Sequence, residues 1–121
     1  MKWLTYDLPL PISTNALYRN LEGGGRAKTA KYRAWVECVG DSLRYEQRAR
    51  PAPGHVFISI LVSEKSRCDA DNCVKCVFDA LVRAGVIEDD RKKFVRGLDM
   101  RWSDKTEGMR VTIKPAEGKA T

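Results

Sequence analysis

Residues 56–63 decide the fold, and their sequence is Val56-Phe57-Ile58-Ser59-Ile60-Leu61-Val62-Ser63. Apolar side chains at every second position predict a strand that is buried on at least one face. Pro51 and Pro53 precede the stretch and would end any helix before it. We therefore predict that residues 56–63 form a central strand of a sheet.

Two helices are predicted around this strand. Before it, the segment from Lys31 to about Arg48 has apolar residues at helical spacing, namely Tyr32, Trp35, Val36, Val39 and Leu43. After it, residues 72–84 contain no Pro or Gly, and Gly85 follows where a C-terminal cap is expected. The sequence thus predicts one helix before the central strand and one helix after it.

The remaining segments complete an α+β fold. Residues 3–8 alternate in polarity and predict a strand, whereas residues 12–30, with Gly23 to Gly25, predict a long mobile loop. Residues 94–102 and 109–113 predict two further strands joined by a polar turn. We expect residues 1–121 to form a single domain, with a mixed sheet of about four strands and two main helices packed on it.

The charge balance favours an anionic partner. The 22 Lys and Arg residues outnumber the 16 Asp and Glu residues, which gives a formal charge of +6 and an isoelectric point near 9.3. The chain has no apolar run near the roughly 18 residues of a membrane span, and its N-terminus lacks a signal-peptide pattern. We expect a cytoplasmic protein without membrane association, in which the four cysteines are reduced.

The chemistry is concentrated in Arg67-Cys68-Asp69-Ala70-Asp71-Asn72-Cys73-Val74-Lys75. Asp69 and Asp71 are two residues apart and can point the same way, so they could share one cation, and Glu88-Asp89-Asp90 adds a third acidic group. Mg²⁺ held by a few carboxylates would stabilise charge and activate water for phosphodiester cleavage.

Helix capping is the alternative role for these two aspartates. An Asp at a helix N-terminus stabilises the helix by about 0.5–2 kcal/mol, and this use is common. Capping leaves Lys75 unexplained, because a cation in the first turn faces the positive end of the helix dipole unless Asp71 or Asp79 neutralises it. From the residues alone, both interpretations stay open.

A longer motif resembles a known family. The string Asp69-Ala70-Asp71-Asn72-x-x-Lys75, then Phe78-Asp79-Ala80-Leu81 and Gly85-Val86-Ile87-Glu88-Asp89-Asp90, resembles the motif D-x-D-N-x-x-K, D-A-L, G-(x)3-D-D of the RusA Holliday junction resolvases. The opening Leu8-Pro9-Leu10-Pro11, with Ser13, Asn15 and Tyr18-Arg19, is similar to the proline-rich start of that family. The resemblance covers most of the chain, although the cysteines at positions 68, 73 and 76 depart from its pattern.

The resemblance implies a structure-selective endodeoxyribonuclease, a hydrolase that resolves four-way junctions by paired symmetric nicks in DNA recombination and repair. It implies that Asp69, Asp71 and Asp90 bind Mg²⁺ or Mn²⁺, with Asp89 as the alternative to Asp90, and that Lys75 is catalytic. The family acts as a homodimer on branched DNA in bacteria and phages, without an organic cofactor. A dimer has its own physical reason, because a two-fold symmetric junction needs two nicks and one cluster per chain makes one.

Basic residues in the predicted loop and around the acidic motif could contact DNA. Lys31, Lys65, Arg91 and Lys92 belong to these clusters, and they are also compatible with an ordinary solvated surface. Because two clusters flank the proposed metal site, we expect phosphate contacts there. The predicted DNA-binding residues are Arg19, Arg26, Lys28, Arg67, Asn72 and Lys93.

Two other functions fit parts of the sequence. One is a non-catalytic, basic nucleic-acid-binding protein with a RusA-like fold. The other is a zinc-stabilised interaction module, with Cys73 and Cys76 as a half-site completed by Cys68, Cys38 or His55. Within a helix, however, Cys73 and Cys76 can simply be small buried residues. We expect Trp3, Trp35 and Trp102 to be core or dimer-interface anchors, and Tyr18 to be the candidate for base stacking.

Overall fold

Residues 56–63 form a strand inside a four-stranded mixed sheet. The computed structural model describes residues 3–52, 54–89, 91 and 93–116. The elements in chain order are β1 (Leu4–Leu8), a 3-10 turn (Thr14–Ala16), β2 (Tyr18–Asn20), β3 (Arg26–Lys28), α1 (Ala30–Tyr45), β4 (Val56–Ser63), α2 (Ala70–Arg83), β5 (Val95–Ser103) and β6 (Met109–Pro115).

The sheet has the strand order β1-β6-β4-β5. Strand β4 pairs in parallel with β5 and antiparallel with β6, and β6 pairs antiparallel with β1. A parallel pair cannot be closed by a tight turn, so α2 makes the crossover from β4 to β5. The predicted central position of β4 and the α+β fold with four strands and two helices are confirmed. The turn after β5 carries the chain past β4, so β5 and β6 lie on opposite sides of that strand.

One face of the sheet carries the core. The side chains of Val56, Ile58, Ile60 and Val62 are almost completely buried. They share one cluster with the inward-facing residues of both helices, namely Tyr32, Val39, Leu43, Cys73, Cys76, Val77, Ala80 and Leu81. Burial of this apolar face, at roughly 25 cal/mol per Å² removed from water, is the main term that holds the helices on the sheet.

The helix ends follow local capping chemistry. The Thr29 side chain accepts a hydrogen bond from the Tyr32 N–H at 3.1 Å and starts α1. The predicted end near Arg48 is wrong by three residues, because Arg48 adopts a left-handed φ of 57°. The predicted cap at Gly85 is confirmed, since its φ is 80° and the Val86 N–H donates back to the Leu81 carbonyl. Neither helix that the structure describes has the length and apolar character needed to cross a membrane.

The prediction of a loop throughout residues 12–30 is wrong in part. The segment contains the 3-10 turn and an antiparallel hairpin of β2 with β3, which we call the basic hairpin (residues 18–28). Gly23, Gly24 and Gly25 all have positive φ and form its turn, and Leu17 anchors its base in the core. Three-residue strands are too short to show a hydrophobic period, so the sequence did not reveal them.

The tryptophans only partly match their predicted role. Trp35 is half-buried, and its Nε1 donates to the Leu10 carbonyl at 3.1 Å. Trp3 and Trp102 are 62% and 46% exposed, so the prediction that they anchor the core is wrong. Trp3 precedes edge strand β1 and lines the face of the sheet opposite the helices, together with Ser59 and Leu61. Trp102 pairs with the buried Val62 and shares its helix-facing side, but its position on edge strand β5 leaves it exposed. Their role as interface anchors remains a prediction.

The turn between β5 and β6 gives a test of the fold. Gly108 has a φ of 79°, and a Cβ there would lie 2.6 Å from the Leu8 carbonyl oxygen. We expect Gly108→Ala to lower the free energy of unfolding by more than the roughly 1–2 kcal/mol of a left-handed alanine. Gly85→Ala is the matched control, because φ is 80° there and nothing lies within 4 Å of the added Cβ. Equal losses in urea denaturation would contradict the predicted close approach.

Candidate active site

The two predicted metal-binding aspartates lie at the start of α2. Asp69 is the N-cap residue and Asp71 is in the first turn, and both are exposed. The Asp69 side chain makes no capping hydrogen bond, although its backbone has the extended conformation of an N-cap. One Asp71 oxygen accepts from the adjacent Asn72 N–H, at 2.9 Å. Capping by hydrogen bonding therefore does not account for Asp69, and both carboxylates face solvent.

A residue from the N-terminal segment fixes the loop that carries Asp69. The Thr14 hydroxyl accepts from the Asp69 N–H at 2.8 Å and points its own proton at the Cys68 Sγ, 3.7 Å away. Ser66 accepts from the Cys68 N–H at 3.1 Å. The end of the β4–α2 connection is thus held from both sides, which limits the freedom of the Asp69 backbone.

The cysteines around the motif pack beneath it. Cys68, Cys73 and Cys76 are buried and Cys38 is exposed, and all four are free thiols. Burial raises the pKa of Cys73 to about 11 and that of Cys76 to about 12, so both are neutral at pH 7. The expectation that Cys73 and Cys76 join the small buried residues of α2 is confirmed. Both cysteines belong to the buried core, and among the described residues no three His, Cys, Asp or Glu side chains are arranged to hold a metal ion.

Lys75 has a carboxylate partner on its own helix. Its Nζ lies 3.9 Å from Asp79 Oδ1, so Asp79 is the neighbour that neutralises it. Asp71, Lys75 and Asp79 follow one another at spacings of four residues and form one stripe on α2, which we call the α2 stripe. The stripe runs from the N-terminus of the helix towards its middle.

Two further residues, which no sequence pattern predicted, contact the Asp79 carboxylate. The Nζ of Lys28 in the basic hairpin lies 3.5 Å from Asp79 Oδ2, and the Tyr32 hydroxyl donates to the same oxygen. Burial, followed by the hydrogen bond to Asp79, raises the pKa of Tyr32 far above its ordinary value, so it stays a donor. Only the helical spacing of Lys75 and Asp79 is visible in sequence, because Lys28 is brought in by tertiary folding.

The third acidic group is not joined to the first two in this chain. Asp90 lies outside the described residues. Asp89 lines a depression of about 350 Å³ with Lys28, Lys75 and Asp79, and its two oxygens accept from the Arg91 N–H and Nε at 2.8 and 2.7 Å. Across the described ranges, no three His, Cys, Asp or Glu side chains are arranged to hold a metal ion. Asp89 is therefore not grouped with Asp69 and Asp71.

The predicted DNA-binding residues are spread over several surfaces. Lys28 lies beside Lys75, and Arg67 lines a depression of about 490 Å³ with Asp69 and Trp102. Lys93 lines a separate depression with His55, and its carbonyl oxygen lies 2.7 Å from His55 Nδ1. Arg19 and Arg26 are exposed on the basic hairpin, whereas Asn72 is half-buried at the start of α2.

Tyr18 is less open than the sequence suggested. The Arg26 guanidinium lies 4.6 Å above its ring, and the Tyr32 ring contacts it edge-on at a centroid distance of 5.9 Å. Tyr18 is therefore half-buried and connects the basic hairpin to α1. Base stacking by Tyr18 would require Arg26 to move away.

Comparison with known proteins identifies the family of this chain. The model of a family described as endodeoxyribonuclease RusA matches residues 9–114. The chain belongs to the RusA family. A search of curated proteins found no match. The family match covers the α2 stripe, the basic hairpin and the segment that contains Asp89 and Asp90, and membership implies an endodeoxyribonuclease that acts on Holliday junctions.

The Thr14 contact can be tested by its effect on stability. Thr14→Val keeps the shape of the side chain but removes the acceptor for the Asp69 N–H, so we expect a loss of about 1 kcal/mol in unfolding free energy. Thr14→Ser keeps the hydroxyl and should lose much less. Urea denaturation measures both. Equal stability of the valine variant and the wild type would mean that Thr14 does not hold the Asp69 backbone.

Proposed function

We propose that this protein is a divalent-metal-dependent endodeoxyribonuclease that resolves Holliday junctions by paired symmetric nicks during DNA recombination and repair. The observation that carries the proposal is the pair of exposed carboxylates, Asp69 and Asp71, that start α2 without a capping bond from Asp69. Lys75 follows Asp71 by one helical turn, and the whole arrangement lies in a chain of the RusA family.

The donor set fits Mg²⁺, and Mn²⁺ as its substitute. Both ions prefer carboxylate oxygens, and Mg²⁺ is usually held by one or two protein carboxylates while it keeps several waters. In this proposal Asp69 and Asp71 hold the ion together with Asp90. When bound, the ion supplies charge stabilisation at the phosphoryl oxygens and an activated water. It also relieves the repulsion between two like charges at the start of one helix.

The chain's own cations bind and orient the DNA strand. Lys75 is a point charge that stabilises negative charge developing on the phosphate, or orients the attacking water. Arg67, beside Asp69, and Asn72 contact the strand near the cut. Arg19 and Arg26 on the basic hairpin, together with Lys93, contact phosphates farther along the junction arms, and Lys28 of the same hairpin also contacts phosphate.

We also propose that the active form is a homodimer whose sites are shared between chains. Asp69 and Asp71 begin α2, whereas Asp89 follows its other end and lines the depression beside Lys75 and Asp79. Asp89 is not grouped with the first two aspartates within one chain. A two-fold dimer can bring the start of α2 in one protomer to the segment after α2 in its partner. The exposed apolar residues Trp3 and Trp102 offer interface area.

The central experiment uses a synthetic four-way junction and a linear duplex of matching sequence. With Mg²⁺ or Mn²⁺ we expect paired nicks at symmetric positions of the junction, and with EDTA we expect binding without cleavage. The duplex should stay intact in both conditions. Binding without nicks in any divalent metal would instead support the non-catalytic nucleic-acid-binding alternative.

The substitution Asp71→Asn tests whether Asp71 acts as a metal ligand or as a helix cap. The substitution keeps the shape and the capping ability of the side chain but removes one charge, so stability in EDTA should hold or rise. Cleavage should be lost, and metal-free junction binding should persist or tighten. Added Mg²⁺ should raise the melting temperature of the wild type more than that of the variant. A variant that nicks junctions at the wild-type rate would remove Asp71 from the site.

Mixing two inactive variants tests the shared site. A heterodimer of Asp71→Asn with Asp90→Asn has one intact site if ligands come from both chains, and none if they come from one. After subunit exchange at equal concentrations, we expect roughly a quarter of the wild-type number of sites. The readout is nicking of one strand per junction. Sedimentation that shows only a 13.7 kDa species while the wild type resolves junctions would refute the dimer.

A further inference from the structure

The Asp79 carboxylate joins three elements of the fold. On α2 it faces Lys75 at 3.9 Å, from the basic hairpin it receives Lys28 at 3.5 Å, and from α1 it accepts the hydroxyl proton of Tyr32. The Asp79 side chain is only 20% exposed, whereas those of Lys28 and Lys75 are 40% and 49% exposed. The carboxylate thus lies beneath two ammonium groups that both reach solvent.

Tyr32 holds this carboxylate from behind. Its ring is completely buried, stacks on Trp35 at a centroid distance of 6.3 Å and meets Tyr18 edge-on. A side chain fixed by two ring contacts presents its hydroxyl in one direction. Asp79 is therefore oriented by a rigid partner, and its remaining lone pairs face the two lysines.

The basic hairpin is tied to this point through Lys28. The Lys28 ammonium lies 5.5 Å above the Tyr32 ring. The backbone carbonyl of Lys28 accepts a hydrogen bond from Arg33 Nη1 at 2.8 Å. The pairing with Asp79 adds a contact from the hairpin to α2. It places Lys28 and Lys75 on one depression, which Arg83, Asp79 and Asp89 also line, so that three positive charges face two negative charges.

A purely stabilising role for these ion pairs is small. Pairs whose side chains are this exposed contribute about 0–1 kcal/mol, because water screens them and ordering long side chains costs entropy. The main effect of the arrangement is to fix the positions of the two ammonium groups. It holds two ammonium groups close together with a net charge of one, at a surface that an anion can reach.

We propose that Asp79 is a positioning residue that holds Lys28 beside Lys75, so that Lys28 acts as a second phosphate-binding cation at the cleavage site. The inference rests on the proposed nuclease function, because it assigns Lys28 to the cleaved phosphate rather than to a distant contact. When the phosphate arrives, its oxygens replace the Asp79 oxygens as partners of the two ammonium groups. The carboxylate sets their position beforehand, and Tyr32 keeps it in place.

The test separates cleavage from binding. Single-turnover cleavage of a four-way junction is measured with protein in saturating excess, and affinity is measured separately in EDTA. Asp79→Asn and Lys28→Met should each lower the saturated rate constant by between about tenfold and a hundredfold, as misplaced catalytic groups do. Tyr32→Phe should give a smaller loss in the same direction. Asp79→Asn should change metal-free affinity far less than the rate constant.

Two control variants match these changes elsewhere in the helix pair. Asp41→Asn removes a carboxylate of α1 that pairs with Arg83 at 3.2 Å, and Arg44→Met removes a cation that lies 5.6 Å over the Tyr45 ring. Both should cleave at the wild-type rate. They reproduce the loss of an exposed ion pair and the loss of a cation over a ring without removing a contact of Asp79.

Amide hydrogen exchange of the metal-free protein tests the positioning without reference to cleavage. Asp79→Asn should raise exchange in the basic hairpin several-fold relative to Asp41→Asn, because the hairpin loses its contact with α2. If wild-type protein cuts no junction, the proposed function fails, and exchange alone decides whether Asp79 positions the hairpin. Unchanged exchange in the hairpin, or an unchanged saturated rate constant for Asp79→Asn or Lys28→Met in an active enzyme, overturns the proposal.

Discussion

The parallel pairing of β4 with β5 is the constraint on which the candidate site depends. A parallel neighbour forces the chain to travel back along the sheet, and α2 is the element that does so. The acidic connection therefore leaves the carboxyl end of β4 and meets the N-terminus of α2. The two carboxylates then lie at the positive end of the helix dipole, an arrangement that stabilises the helix. Because β4 is buried on its helix-facing side, the register that produces this arrangement is strongly specified.

The parts of the fold that sequence predicted are those with a long hydrophobic period or a clear helix end. Strand β4 and α1 repeat their apolar positions often enough to fix their type. The prediction of α2 came instead from a stretch without Pro or Gly and from Gly85, whose left-handed conformation ends the helix. The basic hairpin has only three residues per strand, so the Gly-rich turn was visible and its pairing was not. Trp3 and Trp102 were misplaced because alternation along an edge strand does not show which part of the sheet the helices cover.

The candidate site also contains residues that local spacing predicts and contacts that it does not. Local spacing placed Asp69, Asp71 and Lys75 together, since neighbours on one helix need no knowledge of the rest of the chain. The contacts of Thr14 with Asp69 and of Lys28 with Asp79 join residues 55 and 51 positions apart, which no local pattern encodes. Local spacing did not place Asp89 relative to Asp69 and Asp71, because their separation depends on the length and direction of the helix between them.

The start of α2 is less stable than it would be with a capping hydrogen bond from the Asp69 side chain. A capping hydrogen bond at the N-cap stabilises a helix by about 1 kcal/mol, and Asp69 has the backbone conformation for one but does not make it. The Asp69 N–H is instead satisfied by Thr14, so the loop is held in place without using the Asp69 carboxylate. Asp79 shows the opposite arrangement, since its carboxylate is fully engaged by Tyr32 and two lysines. Asp69 is thus left free to bind, whereas Asp79 is occupied in orienting Lys28 and Lys75. Selection for stability alone would not produce this difference.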